Sequence, residues 1–455
     1  MQKNDEFEVT IQNLGANGEG VAIINGYPVF IPNALPNEIV KVKILKALKN
    51  FAYAKVIDYI KTSSDRVEPK CPVFNKCGGC QLQHLSIQKQ LEFKQNLVKT
   101  NFKKFANLDV NVDACCASEN CYNYRNKLQI PIGVVKQKIG DQIVNQNVAG
   151  FYAISSNRIV PTSSCALHGE WASKIICIAL KYLEISGDTA FDSTMQTGNL
   201  KHAVARLLNN NLMLCMVTRT GKIKNEKLLV DLVKKEFENC SIFINKNSKN
   251  TNVILGDEFK LIYGNATQKL STFNINYEIS PQSFLQVNLD IQNKIYSSVL
   301  DNIDNNQVVV NAYSGAGLLS AIICQKAKHV YGIEIVPQAT ENADKLKKEN
   351  NISNLTNITG DCCVELPKLV NKIECDNLTV VLDPPRKGCD QNVLSSILSV
   401  LPKKILYVSC NSATLARDIK YLMQTNKYDI AFVKPFDMFP QTCHVETFAC
   451  LKLKD

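Results

Sequence analysis

Residues 307–322 read QVVVNAYSGAGLLSAI, and this stretch decides the fold. A short, apolar, β-branched run such as QVVVN is the pattern of a strand buried on both faces. It runs into Gly315 and Gly317, which permit a tight turn and close backbone approach to a ligand at the N-terminus of a following helix. Nineteen residues past Gly315, Glu334 ends the next apolar strand, HVYGIE. A carboxylate there is placed to accept both ribose hydroxyls of an adenosine. The full three-glycine fingerprint is missing, which argues against a dinucleotide. GxG, the acidic residue after the second strand, and Gly360–Asp361 together point to S-adenosylmethionine.

Downstream, strand and helix keep alternating. LTVVLD and KILYVS are again short and apolar, and YDIAFVKP and VETFACLKL close the chain as a last strand pair. The expectation is a doubly wound, Rossmann-like α/β domain over 286–455. Asp383 sits where LTVVLD ends, beside the expected ligand crevice, and Pro384 and Pro385 stiffen the turn after it. Amino-methylating enzymes with a similar site place an aromatic residue after the two prolines. Here Arg386 stands there, which argues against that chemistry. Arg386 is expected to touch a flipped base or a phosphate.

Two further residues complete a reaction. Cys410 ends KILYVS and precedes a helix expected to start near Ser412, where the anionic form of a thiol is favoured. Glu446 opens the last strand, in HVETF, and strand alternation puts His444, Glu446 and Phe448 on one face. Uracil C5 is a poor nucleophile until a thiolate adds to C6 and makes C5 enolate-like. C5 then attacks a methyl sulfonium, a base takes its proton, and the thiol leaves. One cysteine, one carboxylate and a donor pocket suffice for that sequence.

Upstream, 1–62 reads as five short strands separated by Gly, Asn and Pro, the pattern of a small OB-like barrel. Residues 63–285 read as a mixed α/β segment, with a helix expected over LSIQKQLEFKQNLVKTNF (85–102). This segment opens with CPVFNKCGGC, in which Cys71, Cys77 and Cys80 are spaced C-x5-C-x2-C around Gly78 and Gly79. Three thiols in ten residues point to a metal centre. The spacing alone does not separate zinc from an iron–sulfur cluster. A stacked base hides C6, so the substrate nucleotide must flip out. YNYRNK, with Tyr122, Arg125 and Lys127, combines stacking surface with phosphate-pairing charge. LKHAVAR, with Lys201, His202 and Arg206, is a second candidate patch.

The bulk numbers agree with a globular, nucleic-acid-facing protein. The 455 residues are 45% hydrophobic and 21% charged, with a formal net charge of +10. Residues 1–70 hold nine Lys/Arg against eight Asp/Glu, and 71–130 hold eight against four, so the cysteine-rich region looks better suited to phosphate than the barrel does. No signal peptide is visible at MQKNDEFEV, and no apolar run reaches membrane length. Eighteen cysteines without export imply a reducing, cytoplasmic setting.

These residues resemble the RNA uracil-C5 methyltransferase family. The likeness is specific in FLQVN, YSGAG, GIE, DPPRKG, SCN and HVETF. It is narrower toward the bacterial 23S ribosomal RNA enzymes, which carry an N-terminal TRAM domain and an iron–sulfur cluster. The resemblance implies that Gln286, Tyr313, Glu334 and Asp383 line the donor pocket, with Asp361 near the adenine. It implies Cys410 as nucleophile and Glu446 as base. It supplies Cys165 as the fourth ligand of a 4Fe–4S cluster, favoured over zinc. The implied partner is RNA, 23S rRNA before or during ribosome assembly, with no membrane and no protein partner evident. Leu285 departs from a frequent aromatic. Transfer RNA is the rival substrate, and a non-catalytic iron–sulfur RNA-binding protein is the rival class.

Overall fold

The computed structural model describes residues 1–139, 142–373 and 377–454. The chain forms two compact units. The first comprises Met1–Ser86, Asn120–Gln268 and Ile279–Asn288, and the second comprises Ile87–Glu119, Lys269–Glu278 and Leu289–Asp455. These units cut across the three consecutive segments expected from the sequence. Residues 87–119 join the C-terminal unit because Val98, Phe102, Ala106 and Val112 bury into the same core as Val310, Val380 and Leu415.

In the first unit, a six-stranded sheet runs in the order Glu6–Thr10, Ile39–Ala47, Ala52–Lys61, Tyr27–Ile31, Gly20–Ile24 and Asn13–Leu14. Its two end strands are joined through Ile11, whose N–H donates to the Glu38 carbonyl at 2.9 Å, and Gln12, whose N–H donates to the Val21 carbonyl at 2.8 Å, which brings the two edges together as in the expected barrel. Alternation in the strand Ile39–Ala47 sends Val40, Val42 and Ile44 inward and Lys41 outward. The same unit holds a seven-stranded sheet that includes Lys127–Ile139, Leu200–Leu208 and Asn211–Thr218. The helices Glu170–Ser186 and Glu226–Glu236 pack on it through Ile175, Ile176, Leu229 and Val233.

The second unit holds the α/β sheet. Its strands are β1 (Val308–Ala312), β2 (His329–Glu334), β3 (Leu355–Thr359), β4 (Leu378–Leu382), β5 (Lys404–Ser409), β6 (Tyr428–Phe436) and β7 (Glu446–Leu453). The order is β3-β2-β1-β4-β5-β7-β6. The first five strands are parallel, and β7 runs antiparallel between β5 and β6. The order reverses between β1 and β4, and ligands of such sheets sit outside the carboxyl ends of the strands flanking that point. Helices of this unit include α1 (Ile87–Asn101), α2 (Leu318–Ile323), α3 (Cys362–Val370) and α4 (Ser412–Met423). Among the described residues no helix is long and apolar enough to cross a membrane.

Candidate active site

The glycine loop after β1 is built by three residues in left-handed backbone, Tyr313 (φ 65°), Gly315 (φ 56°) and Gly317 (φ 81°). The two glycines are required for different reasons. A Cβ on Gly317 would lie 2.6 Å from the Ala343 methyl, a steric conflict. A Cβ on Gly315 would meet nothing within 4 Å, so there the requirement is conformational. Glu334, at the end of β2, locks the loop. Its two oxygens accept the N–H groups of Gly315 and Val336, each at 2.9 Å. A carboxylate oxygen has two lone pairs, so each oxygen retains one for a further donor. Asp361 caps α3 by accepting the Cys363 N–H at 2.9 Å. The Tyr313 phenol is pushed up by burial and hydrogen-bonds with Cys389.

Four ionisable groups gather at the carboxyl ends of β4 and β5 and the start of β7. Asp383 follows β4 and is exposed to solvent, yet protein atoms crowd its carboxyl. That crowding pushes its carboxyl up to about 7. Cys410 follows β5, and Glu446 begins β7. Because β5 and β7 are antiparallel, with Ser409 paired to Thr447, the two residues lie at the same edge of the sheet. Glu446 is 5% exposed, and burial, then the Asp383 charge, push it up to about 8 against the opposing pull of Arg386.

The Cys410 thiol is pushed up, foremost by burial and then by Glu446. This corrects the sequence expectation. The start of α4 is close, yet desolvation and the adjacent carboxylate outweigh any lowering of the thiol. Arg386 supplies the opposing effect, since its guanidinium attracts the thiolate and hydrogen-bonds to it. The structure thus brings Arg386 to the cysteine. Asn411 holds that arrangement. Its Oδ1 caps α4 at the Ala413 N–H (3.1 Å), and its Nδ2 donates to the Arg386 carbonyl (3.0 Å). Thr414 donates to the same carbonyl at 3.2 Å. Sequence reasoning missed Asn411; its signal was a cap-type residue directly after the cysteine.

In the first unit, Cys71, Cys77, Cys80 and Cys165 line one cavity of about 50 Å³. Gly78 allows this by docking on the strand region 152–154. Its N–H donates to the Tyr152 carbonyl at 2.9 Å, and a Cβ there would press on Ile154 backbone at 3.3 Å. Burial pushes Cys80 up to about 12 and Cys165 up to about 11, and the neighbouring cysteines add to the rise. Four thiolates are the donor type that zinc and iron–sulfur centres both accept, so the chemistry of the set, though not its spacing, suits such a group. No group of three or more His, Cys, Asp or Glu side chains that could hold a metal ion is found among the described residues. The metal centre expected from the sequence therefore has its cysteines assembled but not a ligation geometry.

The candidate RNA contacts separate. Arg125 lines the thiol cavity, and Tyr122 lies near the same cysteines with the Lys70 amine 4.6 Å above its ring. Lys127 is brought down to about 8 by burial and then by Arg206 and Arg125, a cluster of like charges. His202 is brought down to about 4 by burial and shares a 3.2 Å hydrogen bond with the Tyr152 hydroxyl. Arg206 corrects the sequence reading. It is 3% exposed, and its guanidinium donates to the carbonyls of Ser283 (2.9 Å) and Leu285 (3.5 Å). It holds the FLQVN loop and offers RNA no free surface. Asn126 holds the same loop by donating to the Gln286 carbonyl at 2.9 Å. Phe284, in this pinned loop, is 82% exposed, and the aromatic ring within FLQVN was the signal available for it.

The barrel carries its charge unevenly. Its near balance of charge conceals a segregation, because residues 39–61 hold Lys41, Lys43, Lys46, Lys49, Lys55 and Lys61 against Asp58 alone. Lys41 and Lys43 face Glu6. Lys46 pairs in register with Tyr53, and Phe51 packs 5.6 Å from Phe30 and 5.5 Å from Tyr53, centroid to centroid, with Tyr53 39% exposed.

Comparison with known proteins agrees with this arrangement. Residues 208–454 match the model of the tRNA (uracil-5-)-methyltransferase family, and residues 2–57 match the TRAM domain. A Listeria innocua protein named "uncharacterized RNA methyltransferase" is 39% identical, covering 100% of this chain and 99% of its own length. A Clostridium tetani protein of the same name is 39% identical over 98% of this chain and 96% of its own. Among solved structures, the Pyrococcus abyssi tRNA (uracil-54, C5)-methyltransferase in complex with S-adenosyl-L-homocysteine aligns with a TM-score of 0.76 at 23% identity. It covers 98% of this chain and 100% of its own, which establishes the shared fold. With an N-terminal TRAM domain ahead of a matched catalytic region, this chain belongs to the RNA uracil-C5 methyltransferase family.

Proposed function

We propose that the chain methylates C5 of a uridine in RNA through a transient bond from Cys410 to C6. The observation that carries this reading is the pairing of Ser409 with Thr447, which puts Cys410 and Glu446 at one edge of the sheet, with Arg386 hydrogen-bonded to the thiol and the Asp383 charge acting on both. S-adenosylmethionine supplies the methyl sulfonium when bound at the glycine loop, where Tyr313, Gly315, Glu334, Asp361 and Asp383 stand, with Gln286 assigned to the same role by family resemblance. Arg386 stabilises the thiolate that adds to C6. Glu446, a stronger base in its buried site than an exposed carboxylate, removes the C5 proton. Those electrons restore the C5–C6 double bond as the C6–S bond breaks.

The four cysteines are assigned to a 4Fe–4S cluster. Support comes from their convergence on one cavity and from the family resemblance. The cluster would tie the 71–80 loop to Cys165, and the methyl transfer needs no electron from it. RNA is assigned to Arg125 and Tyr122 at that cavity, to Lys127, to Phe284 as a stacking ring, and to the lysine-rich barrel hairpin. Among RNAs, 23S rRNA is the first candidate, on resemblance. Transfer RNA stands beside it, because a tRNA enzyme shares the whole fold.

The test is incubation with 5-fluorouridine RNA and the methyl donor, where fluorine blocks proton removal. A denaturation-resistant RNA adduct is expected, absent in Cys410→Ala and retained in a folded Cys80→Ser chain. A folded Cys410→Ala chain that methylates RNA at the wild-type rate refutes the reading. Mapping 5-methyluridine in 23S and transfer RNA from cells lacking the protein assigns the substrate.

A further inference from the structure

The buried face of α1 is partly polar: it presents Gln90, Lys94 and Val98. Lys94 is fully buried, and its amine pairs with Asp437, itself 2% exposed. The same amine donates to the Phe439 carbonyl at 3.0 Å. Gln90, 1% exposed, makes a reciprocal pair with Gln441. Its Nε2 donates to the Gln441 Oε1, and its Oε1 accepts the Gln441 N–H, each at 3.0 Å. Gln441 is itself in left-handed backbone at φ 70°. All these partners lie in 437–441, within the connection from β6 to β7, and β7 begins with Glu446.

The far end of the same helix reaches the other catalytic segment. Asn101 Nδ2 donates to the Ser412 hydroxyl at 2.8 Å, two residues after Cys410. A helix is a stiff rod, about 1.5 Å per residue. From Gln90 to Asn101 it therefore spans roughly 16 Å, a fixed rule between the base-bearing connection and the nucleophile-bearing turn. A buried ion pair is weak evidence for stability, since apolar replacement of both partners is often neutral. A positional role explains why charge is held there.

We propose that Lys94 and Gln90 are positioning residues that set the approach of the Glu446 carboxylate to the C5 proton. This rests on the uracil methylation reading above. In the adduct, C5 carries both the new methyl group and its hydrogen, and C6 is bonded to Cys410. Glu446 takes the hydrogen as a proton, the C–H electrons form the C5–C6 double bond, and the C6–S electron pair returns to sulfur as thiolate. Displacing Glu446 from C5 slows this last step while leaving the nucleophile in place, so RNA should accumulate on the enzyme as a methylated covalent adduct.

The variants are Lys94→Met/Asp437→Leu, which removes both charges together, and Gln90→Leu, which removes two hydrogen bonds and no charge. Each is compared with wild type for adduct formation on 5-fluorouridine RNA, which needs no removal of a C5 proton. Each is then assayed for turnover and trapped adduct on ordinary uridine RNA. The expected result is fluorouridine adduct formation within about twofold of wild type, turnover reduced at least tenfold for the double variant, and ordinary RNA found as adduct on denaturing gels. Should the double variant not fold, Gln90→Leu decides by the same ratio of trapped adduct to turnover. Turnover and fluorouridine adduct falling in parallel, or neither changing, overturns the proposal. A wild-type chain that forms no fluorouridine adduct overturns the methylation reading itself.

Discussion

Replacing Glu446 by Gln removes a buried carboxyl while keeping its shape, and the consequence for stability depends on pH. Burial and the Asp383 charge move this carboxyl from an ordinary 4.5 to about 8. The folded chain therefore binds the proton more tightly than the unfolded chain does. That contribution is fully present below pH 4.5 and is lost as pH rises through about 8. At about 1.36 kcal/mol per tenfold difference in proton affinity, the whole gap corresponds to on the order of 5 kcal/mol. Most of it, about 4 kcal/mol, develops between pH 5 and pH 9. The side-chain amide of the variant does not titrate, so Glu446→Gln should gain on wild type across that window and match it most closely at pH 5. For a cooperative unit of roughly 200 residues the gain is on the order of 10 °C in Tm. The assay is calorimetry of both chains at pH 5, 7 and 9, with the relevant transition identified by its upward shift with S-adenosylhomocysteine. A Tm difference that stays constant with pH, or narrows toward pH 9, refutes the claim that Glu446 is held protonated by its surroundings.

Other consequences are as direct. Because the Cys410 thiol is pushed up and Glu446 stands at about 8, both must lose protons to act. kcat/KM, measured with saturating donor, should therefore rise with pH through about 8 and still be rising above 9, where the raised thiol ionises, and Arg386→Gln should move the rise to higher pH. Asn411→Ala removes the cap of α4 and the hold on the Arg386 carbonyl together. It should lower stability by about 1 kcal/mol and slow fluorouridine adduct formation by more than that loss explains, as read by paired denaturation and adduct kinetics. Changing Lys46, Lys49 and Lys55 together to Ala should weaken RNA binding and reduce the slope of log K against log salt by about 2, if each meets one single-strand phosphate. An unchanged slope would remove the barrel hairpin from the interface.

What local pattern controls was legible in the chain. QVVVN followed by GxG is dictated by strand burial and by backbone sterics at Gly315 and Gly317, and the structure has β1 and the turn where the sequence predicts them. The helix starts at Ile87 and Ser412 follow from local periodicity and capping. Glu446 opens β7, as its place in HVETF predicts. The barrel closes because its alternating strands bury one face only.

Tertiary structure decided whatever depends on residues far apart in the chain. Arg206 looked like a surface cation in LKHAVAR, but packing buries it and turns it to carbonyls of the FLQVN loop. The state of the Cys410 thiol could not be read from its place before a helix, because Glu446, distant in sequence, and burial together outweigh the helix end. Lys94 sits in a polar amphipathic stretch with no local sign that Asp437 lies opposite. Hydrophobic period and glycine placement are properties of neighbours in sequence. Proton affinities and buried ion pairs are set by whatever the fold brings within a few ångströms, and a single chain does not write those distances in any local pattern.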